Sequence, residues 1–258
     1  MKGKEKIPCL TAYDAITARF VDEAGIPLIL VGDSLATTTL GFDTTIPATK
    51  EIMLHHTAAV ARTAKSALVV ADMPFLTYHF GPQEVLRNAG RFLQEAGAEA
   101  VKLEGGASKA ETIRLLVENG IPVMAHIGVL PQSVREKDYQ YRGRTLFESG
   151  QLIEDAQAVA KAGAFAVVLE SVAGDTAKRI TEAIAIPTIG IGSGVHCDGQ
   201  VLVLADILGL TAGTLPRFVK PFARVDKLMT KAIKAYRDEV LHGQYPAEQH
   251  TYSRKIVP

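Results

Sequence analysis

With 258 residues, of which 47% are hydrophobic and 22% charged, the chain has apolar material for one large domain. Its 28 basic and 28 acidic side chains cancel to a formal net charge of zero, which removes the electrostatic case for a nucleic-acid or anionic-membrane partner. No apolar run approaches the ~18 residues that a membrane-spanning helix needs. Cys9 and Cys197 make neither a CxxC pair nor a disulfide framework, so a reducing, cytoplasmic compartment is expected.

The opening "MKGKEKIPCLTAYD" passes from basic residues into a strand-like segment, Pro8–Asp14, without the apolar stretch of a signal peptide. Short apolar runs then recur at Ile26–Ser34, Ala67–Pro74, Ala98–Gly106, Ile121–Gly128, Ala164–Ser171 and Ile186–Gly194. The lead-ins "DEAGIP", "QEAGAEA", "VENGIP" and "AKAGAFA" each set a glycine where a helix C-cap belongs, with the next strand following at once. Between the runs, segments such as "QEVLRNAGRFLQEA" and "SGQLIEDAQAVAKA" space their apolar residues as a helix does. A weaker run, Ile207–Thr211, is taken as the eighth strand. From Val225, "VDKLMTKAIKAYRDEVLHG" predicts an amphipathic helix, and the tail from Gln244 is expected to be loosely held.

Strands alternating with helices imply parallel βα units. About eight units in about 250 residues fit a (βα)8 TIM barrel. An open doubly wound sheet is the alternative, but no GxGxxG follows the first strand. With no low-complexity linker, residues 1–258 are expected to form a single barrel domain, ending in a helix and tail over about 225–258.

The strand ends carry the chemistry. Five runs finish in polar or ionisable residues: Asp33 with Ser34, Asp72, Lys102 with Glu104, His126, and Glu170. Strand side chains alternate, so Lys102 and Glu104 share one face of their strand while Val101 and Leu103 take the other. In a barrel these ends converge on the C-terminal mouth. The carboxylates Asp33, Asp72 and Glu104 would repel one another there unless a cation sits among them. A hard divalent ion such as Mg²⁺, with oxygen ligands, is the natural solution.

Each residue has an ordinary explanation when taken alone. Asp33 or Ser34 could cap the following helix, and Asp72 could be a turn residue. His126 could be a hydrogen-bonded core histidine, and Lys102 with Glu104 a buried ion pair. Glu170 could pair with an arginine. Their joint placement at successive strand ends is what favours a site. His55 and His56 fall on a helix with at most one turned inward and receive no role. "GIGSG" (Gly190–Gly194) is too short a signature to be read as a phosphate loop.

The motifs "TAYD", "VGDSL", "ADMPF", "VKLEGG", "HIGVLPQS", "VLESV", "IPTIGIGSG", "CDGQVLV", "LPRFVK" and "YPAEQH" occur in this order. In this the chain closely resembles the ketopantoate hydroxymethyltransferase family, from Thr11 to His250. The resemblance implies a (βα)8 barrel related to phosphoenolpyruvate- and pyruvate-utilising enzymes, assembled as a large homo-oligomer, by likeness a decamer. It implies transfer of a hydroxymethyl group from methylene-tetrahydrofolate to 3-methyl-2-oxobutanoate, on the route to pantothenate and coenzyme A. It assigns Mg²⁺ to Asp33, Asp72 and Glu104. Contacts with the 2-oxo acid go to Asp33, Ser34, Asp72 and Lys102, a pocket position to His126, and the proton acceptor's role to Glu170.

The chain departs from the family pattern in three places. Many members carry a further helix ahead of "TAYD". A less apolar residue than Phe42 is usual in "LGFDTTIPAT", and 134–144, "VREKDYQYRGR", replaces a glycine-rich turn. Two rival readings are a folate-independent lyase or mutase acting on a 2-oxo acid, and a non-catalytic barrel used for binding or assembly. The lyases' catalytic cysteine has no counterpart in the surroundings of Cys9 or Cys197, and every ligand position of the family is filled.

Overall fold

Four helices in this chain stop just ahead of a glycine. Gly25, Gly97, Gly120 and Gly163 have φ of +77°, +74°, +80° and +97°, the left-handed turn that ends a helix and that a side chain resists. A parallel strand follows each of them. In a computed structural model of the chain, which describes residues 2–133 and 140–252, the strands are β1 (Ile7–Thr11), β2 (Leu28–Val31), β3 (Leu68–Asp72), β4 (Ala100–Glu104), β5 (Val123–Gly128), β6 (Ala166–Glu170), β7 (Thr188–Ile191) and β8 (Gly199–Leu202). They pair in chain order and close into a parallel barrel, with β8 returning to β1. The fold expected from the sequence is the one found.

The eighth strand is not where the sequence reading set it. Gly199–Leu202 forms it, in register with Ile7–Leu10. Ile207 instead ends a short helix, Leu204–Ile207, and Gly209 beyond it turns the chain at φ +67°. A four-residue strand that opens on Gly-Gln carries no apolar run to announce it. Just ahead of it, Asp198 accepts hydrogen bonds from Thr188 N (2.9 Å) and Lys2 Nζ (2.8 Å).

Buried apolar residues fall into two groups. One lies between the sheet and the helices and includes Val101, Leu103, Val123 and Leu169. The other lines the barrel's interior, with Cys9, Leu28, Leu30, Val70, Ala100, Met124, Ala166, Val168, Ile189 and Val201. The period-two alternation sorts β4 as the sequence implied: Val101 and Leu103 pack outward, while Ala100, Lys102 and Glu104 take the inner face. The lower interior is therefore apolar, and the polar residues continue the same stripes toward the C-terminal ends.

The chain divides into two compact units, one running to Leu204 and taking in Pro216–Val219, the other made of Ala205–Leu215 and the chain from Lys220. The expected C-terminal helix spans Val225–Leu241 in the second unit and buries none of its residues. Residues 134–139, within the segment that departs from the family pattern, and 253–258 of the tail lie outside the described residues. Among the described residues no helix is long and apolar enough to cross a membrane.

Candidate active site

Strand register brings the expected residues together. Asp72 stands beside Lys102 across β3 and β4, Glu104 beside His126 across β4 and β5, and Gly128 beside Glu170 across β5 and β6. Asp33, Asp72, Lys102, Glu104 and His126 are all 5% exposed or less, and Ser34 and Glu170 are half-buried. Such a density of ionisable groups in an interior is tolerated only if they answer one another.

They do so around Lys102. Its Nζ lies 2.9 Å from Asp72 Oδ1 and 3.1 Å from His126 Nδ1. An ammonium carries only donors, so His126 accepts at Nδ1 and holds its own proton on Nε2. That Nε2 faces Glu170 Oε2 at 3.3 Å, close but outside hydrogen-bond alignment. Burial and the neighbouring Lys102 push the His126 pKa down, against the pull of Glu170, so the imidazole is neutral. Burial alone would lower the Lys102 pKa, but Asp72, Glu104 and Asp33 outweigh it and hold the ammonium charged. Burial pushes the Asp72 and Glu104 carboxyls up. Lys102 opposes the rise in both, and their acidic neighbours add to it.

Asp33 follows β2 in the turn to the helix Leu35–Thr38. Its backbone N–H donates to Asp72 Oδ2 at 3.2 Å. Ser34 occupies the helix's N-cap position without making a capping bond. Its hydroxyl instead meets the Tyr13 hydroxyl at 2.7 Å. The Tyr13 carbonyl accepts from His56 Nδ1 at 2.6 Å, so one histidine of the "HH" pair does turn inward while His55 stays exposed.

Glu170 is held by its surroundings. A Cβ on Gly128, which has φ +103°, would sit 2.3 Å from the Glu170 carbonyl oxygen, so only glycine lets β5 and β6 approach there. Ser171 is left-handed at φ +49° and turns the chain directly after Glu170. Ser193, from "GIGSG", donates to Leu169 O at 2.7 Å and accepts from Val172 N at 3.0 Å, clasping the chain on both sides of Glu170.

Three residues of this region carry no sequence signal of their own. Gln132 donates from its side chain to Asp33 Oδ2 (3.0 Å) and Met73 O (3.1 Å), and from its backbone to Glu104 Oε2 (3.1 Å). Tyr78 donates to Gln132 Oε1 at 2.6 Å. The third is Ser193. In "PQS" and "GIGSG" both Gln132 and Ser193 read as turn residues, and Tyr78 reads as core.

Cys9 lines the apolar interior, with its thiol pushed by burial up to about 12, and Cys197 is buried with its thiol raised for the same reason. Neither is the thiolate nucleophile that a cysteine-dependent lyase would need.

Barrel enzymes place their active face at the C-terminal ends of the parallel strands, which is where these ionisable side chains gather above an apolar barrel floor. A family model described as ketopantoate hydroxymethyltransferase matches residues 1–248. The chain is 50% identical to the 3-methyl-2-oxobutanoate hydroxymethyltransferase of Syntrophomonas wolfei over 255 residues, covering 98% of this chain and 92% of that one. It is 52% identical to the enzyme of the same name from Thermotoga neapolitana, covering 99% of this chain and 94% of that one. The chain belongs to the ketopantoate hydroxymethyltransferase family and is a hydroxymethyl-transferring enzyme. Among solved structures, a phosphonopyruvate hydrolase superposes with a TM-score of 0.62 at 13% identity, over 97% of this chain and 88% of that one. A 2,3-dimethylmalate lyase of the PEP mutase/isocitrate lyase superfamily superposes with a TM-score of 0.60 at 16% identity, over 98% and 87%. These two share the barrel fold.

Proposed function

We propose that the enzyme transfers a hydroxymethyl group from methylene-tetrahydrofolate to 3-methyl-2-oxobutanoate through an enolate, with Mg²⁺ held among Asp33, Asp72 and Glu104, on the route to pantothenate and coenzyme A. The observation that carries this reading is the cluster itself. Three buried carboxylates, with Glu170 half-buried beside them, share the mouth with one ammonium and a neutral histidine; Asp72 Oδ1 is answered by Lys102, whereas Glu104 Oε1 is buried without a hydrogen-bond partner. That donor set suits a hard divalent cation. Among the described residues no three His, Cys, Asp or Glu side chains are grouped so that they could hold a metal ion by themselves. Mg²⁺ commonly takes only one or two carboxylates and completes its shell with water and substrate oxygens. When bound, it supplies Lewis-acid polarisation of the 2-oxo acid's carbonyl.

The protein's own residues do the rest. Lys102 keeps a fixed positive charge, shielded from water, where the enolate oxygen develops its negative charge. Asp33 and Ser34 orient the 2-oxo acid, and His126 walls the pocket between Lys102 and Glu170. Glu170, the half-buried carboxylate of the group, takes the C3 proton. The C3 carbanion then bonds to the methylene carbon as one of its two C–N bonds to the folate breaks, water replaces the second nitrogen to give the hydroxyl, and the two freed nitrogens take up the C3 proton and one proton of the water. We extend the reading to a cytoplasmic homo-oligomer, a decamer. Leu228, Met229, Ile233, Tyr236 and Leu241, all exposed on the helix Val225–Leu241, support self-association.

The test is proton exchange at C3 of 3-methyl-2-oxobutanoate in D₂O, followed by NMR with and without Mg²⁺. Exchange should depend on the metal. It should fall by about 10²–10⁴-fold in Glu170→Gln, with Mg²⁺ binding retained, and should be lost in Lys102→Ala. Product formation without methylene-tetrahydrofolate would sink the proposed co-substrate. Loss of Mg²⁺ binding in Glu170→Gln would move Glu170 into the metal's shell.

A further inference from the structure

Gln132 belongs to the turn after β5, and this turn touches both halves of the site. At its start, Val129 N donates to the Glu170 carbonyl at 2.9 Å. Three residues later the backbone N–H of Gln132 donates to Glu104 Oε2, and its side chain donates to Asp33 Oδ2 and Met73 O. The side chain is 4% exposed and fully satisfied. Chemistry fixes its orientation: Met73 O can only accept, so the NH₂ faces it, and Oε1 is left for the Tyr78 hydroxyl.

Tyr78 is itself held in place. It is 3% exposed, and the carbonyl of the preceding Thr77 accepts from Asn88 Nδ2 at 2.8 Å, while Asn88 Oδ1 accepts from Lys50 Nζ at 2.8 Å. Burial, with Glu104 and Asp72 nearby, drives the Tyr78 pKa upward, so its hydroxyl stays a donor.

We infer that Gln132, oriented by Tyr78, is a positioning residue that occupies one oxygen each of Asp33 and Glu104 and so leaves their other oxygens free to bind the cation. Glu104 Oε1 has no hydrogen-bond partner, and Oε2 of the same carboxylate is the atom that Gln132 engages. Asp33 follows β2 and Glu104 ends β4, with β3 between them, and Gln132 hydrogen-bonds to both. The inference rests on the reading of Asp33 and Glu104 as cation ligands.

Outer-shell partners of this kind typically change metal affinity by about 10–100-fold when removed. The test is calorimetric titration of Mg²⁺ into the substrate-free protein, comparing wild type with Gln132→Met, Tyr78→Phe and Asp33→Asn, with melting temperatures recorded alongside. Gln132→Met should bind Mg²⁺ about 10–100-fold more weakly, and Tyr78→Phe several-fold more weakly, with melting temperatures close to wild type. Wild-type affinity in both, with Asp33→Asn impaired, overturns the positioning role and leaves the cation reading standing. Unchanged affinity in Asp33→Asn overturns the cation reading and this inference with it. Should Gln132→Met fail to fold, Tyr78→Phe decides by the same comparison.

Discussion

Lys102 and Asp72 form an ion pair of 2.9 Å with both side chains almost wholly out of water, at 4% and 1% exposure. Such a pair is a poor source of net stability, but breaking it is costly because the surviving charge has no answer. Lys102→Met should destabilise the fold by about 3 kcal/mol in urea titrations. Pairing it with Asp72→Asn should recover part of that loss, as a double-mutant cycle on two contacting groups requires. Strict additivity would mean that the two residues do not interact.

Gly128 and Gly163 make a matched comparison. Both have positive φ, so alanine at either should cost more than about 1 kcal/mol. At Gly163 the new methyl meets only the Val117 side chain at 3.0 Å, whereas at Gly128 it meets the Glu170 backbone oxygen at 2.3 Å. Gly128→Ala should therefore be the less stable of the two and, assayed well below both melting temperatures, should lose far more turnover than Gly163→Ala, read as kcat against melting temperature.

Ser193 bridges Leu169 O and Val172 N from a fully buried position. Ser193→Ala leaves a buried N–H without its acceptor and should cost about 1–3 kcal/mol. Because the clasp brackets Glu170, C3 exchange should slow while Mg²⁺ affinity, measured by calorimetry, stays near wild type.

Away from the site, Asp198 gives the protein an acid limb. Burial works against its charge, but Lys2 and the Thr188 backbone N–H outweigh that and depress its pKa. A depressed carboxyl contributes stability that is present above the ordinary range near pH 4 and is lost as pH falls through its lowered value. Asp198→Asn should therefore be less stable than wild type near neutral pH by about 1 kcal/mol, allowing for solvent screening. The gap should narrow in urea titrations as pH is lowered below the ordinary carboxyl range near 4, and a gap independent of pH would assign the effect to packing.

The barrel and the strand-end residues were legible because both rest on local periodicity. Alternation placed Lys102 and Glu104 on one face, and glycine C-caps marked where helices yield to strands. β8 escaped because its four residues alternate buried and partly exposed without an apolar run, while the more apolar Ile207–Thr211 belongs to a helix end and a turn. Gln132 and Ser193 escaped for a different reason. Each lies in a turn, and where a turn residue points depends on contacts with strands distant in the chain. A glutamine that joins β2 to β4 looks like any polar loop residue until those strands are side by side.

The pairing of β1 with β8 also bears on how the molecule is made. Ile7–Leu10 is synthesised well before its partner Gly199–Leu202, which is added almost two hundred residues later. A sheet formed without that strand would be an arc whose two outer strands have unpaired backbone groups, the kind of edge that recruits foreign strands. Neither edge has its partner among the strands made earlier, because the strand that pairs with the free edges of both β1 and β7 is β8. A chain stopped short of Gly199 lacks the strand that closes the barrel, and its open edges make it an aggregation hazard rather than a weaker catalyst.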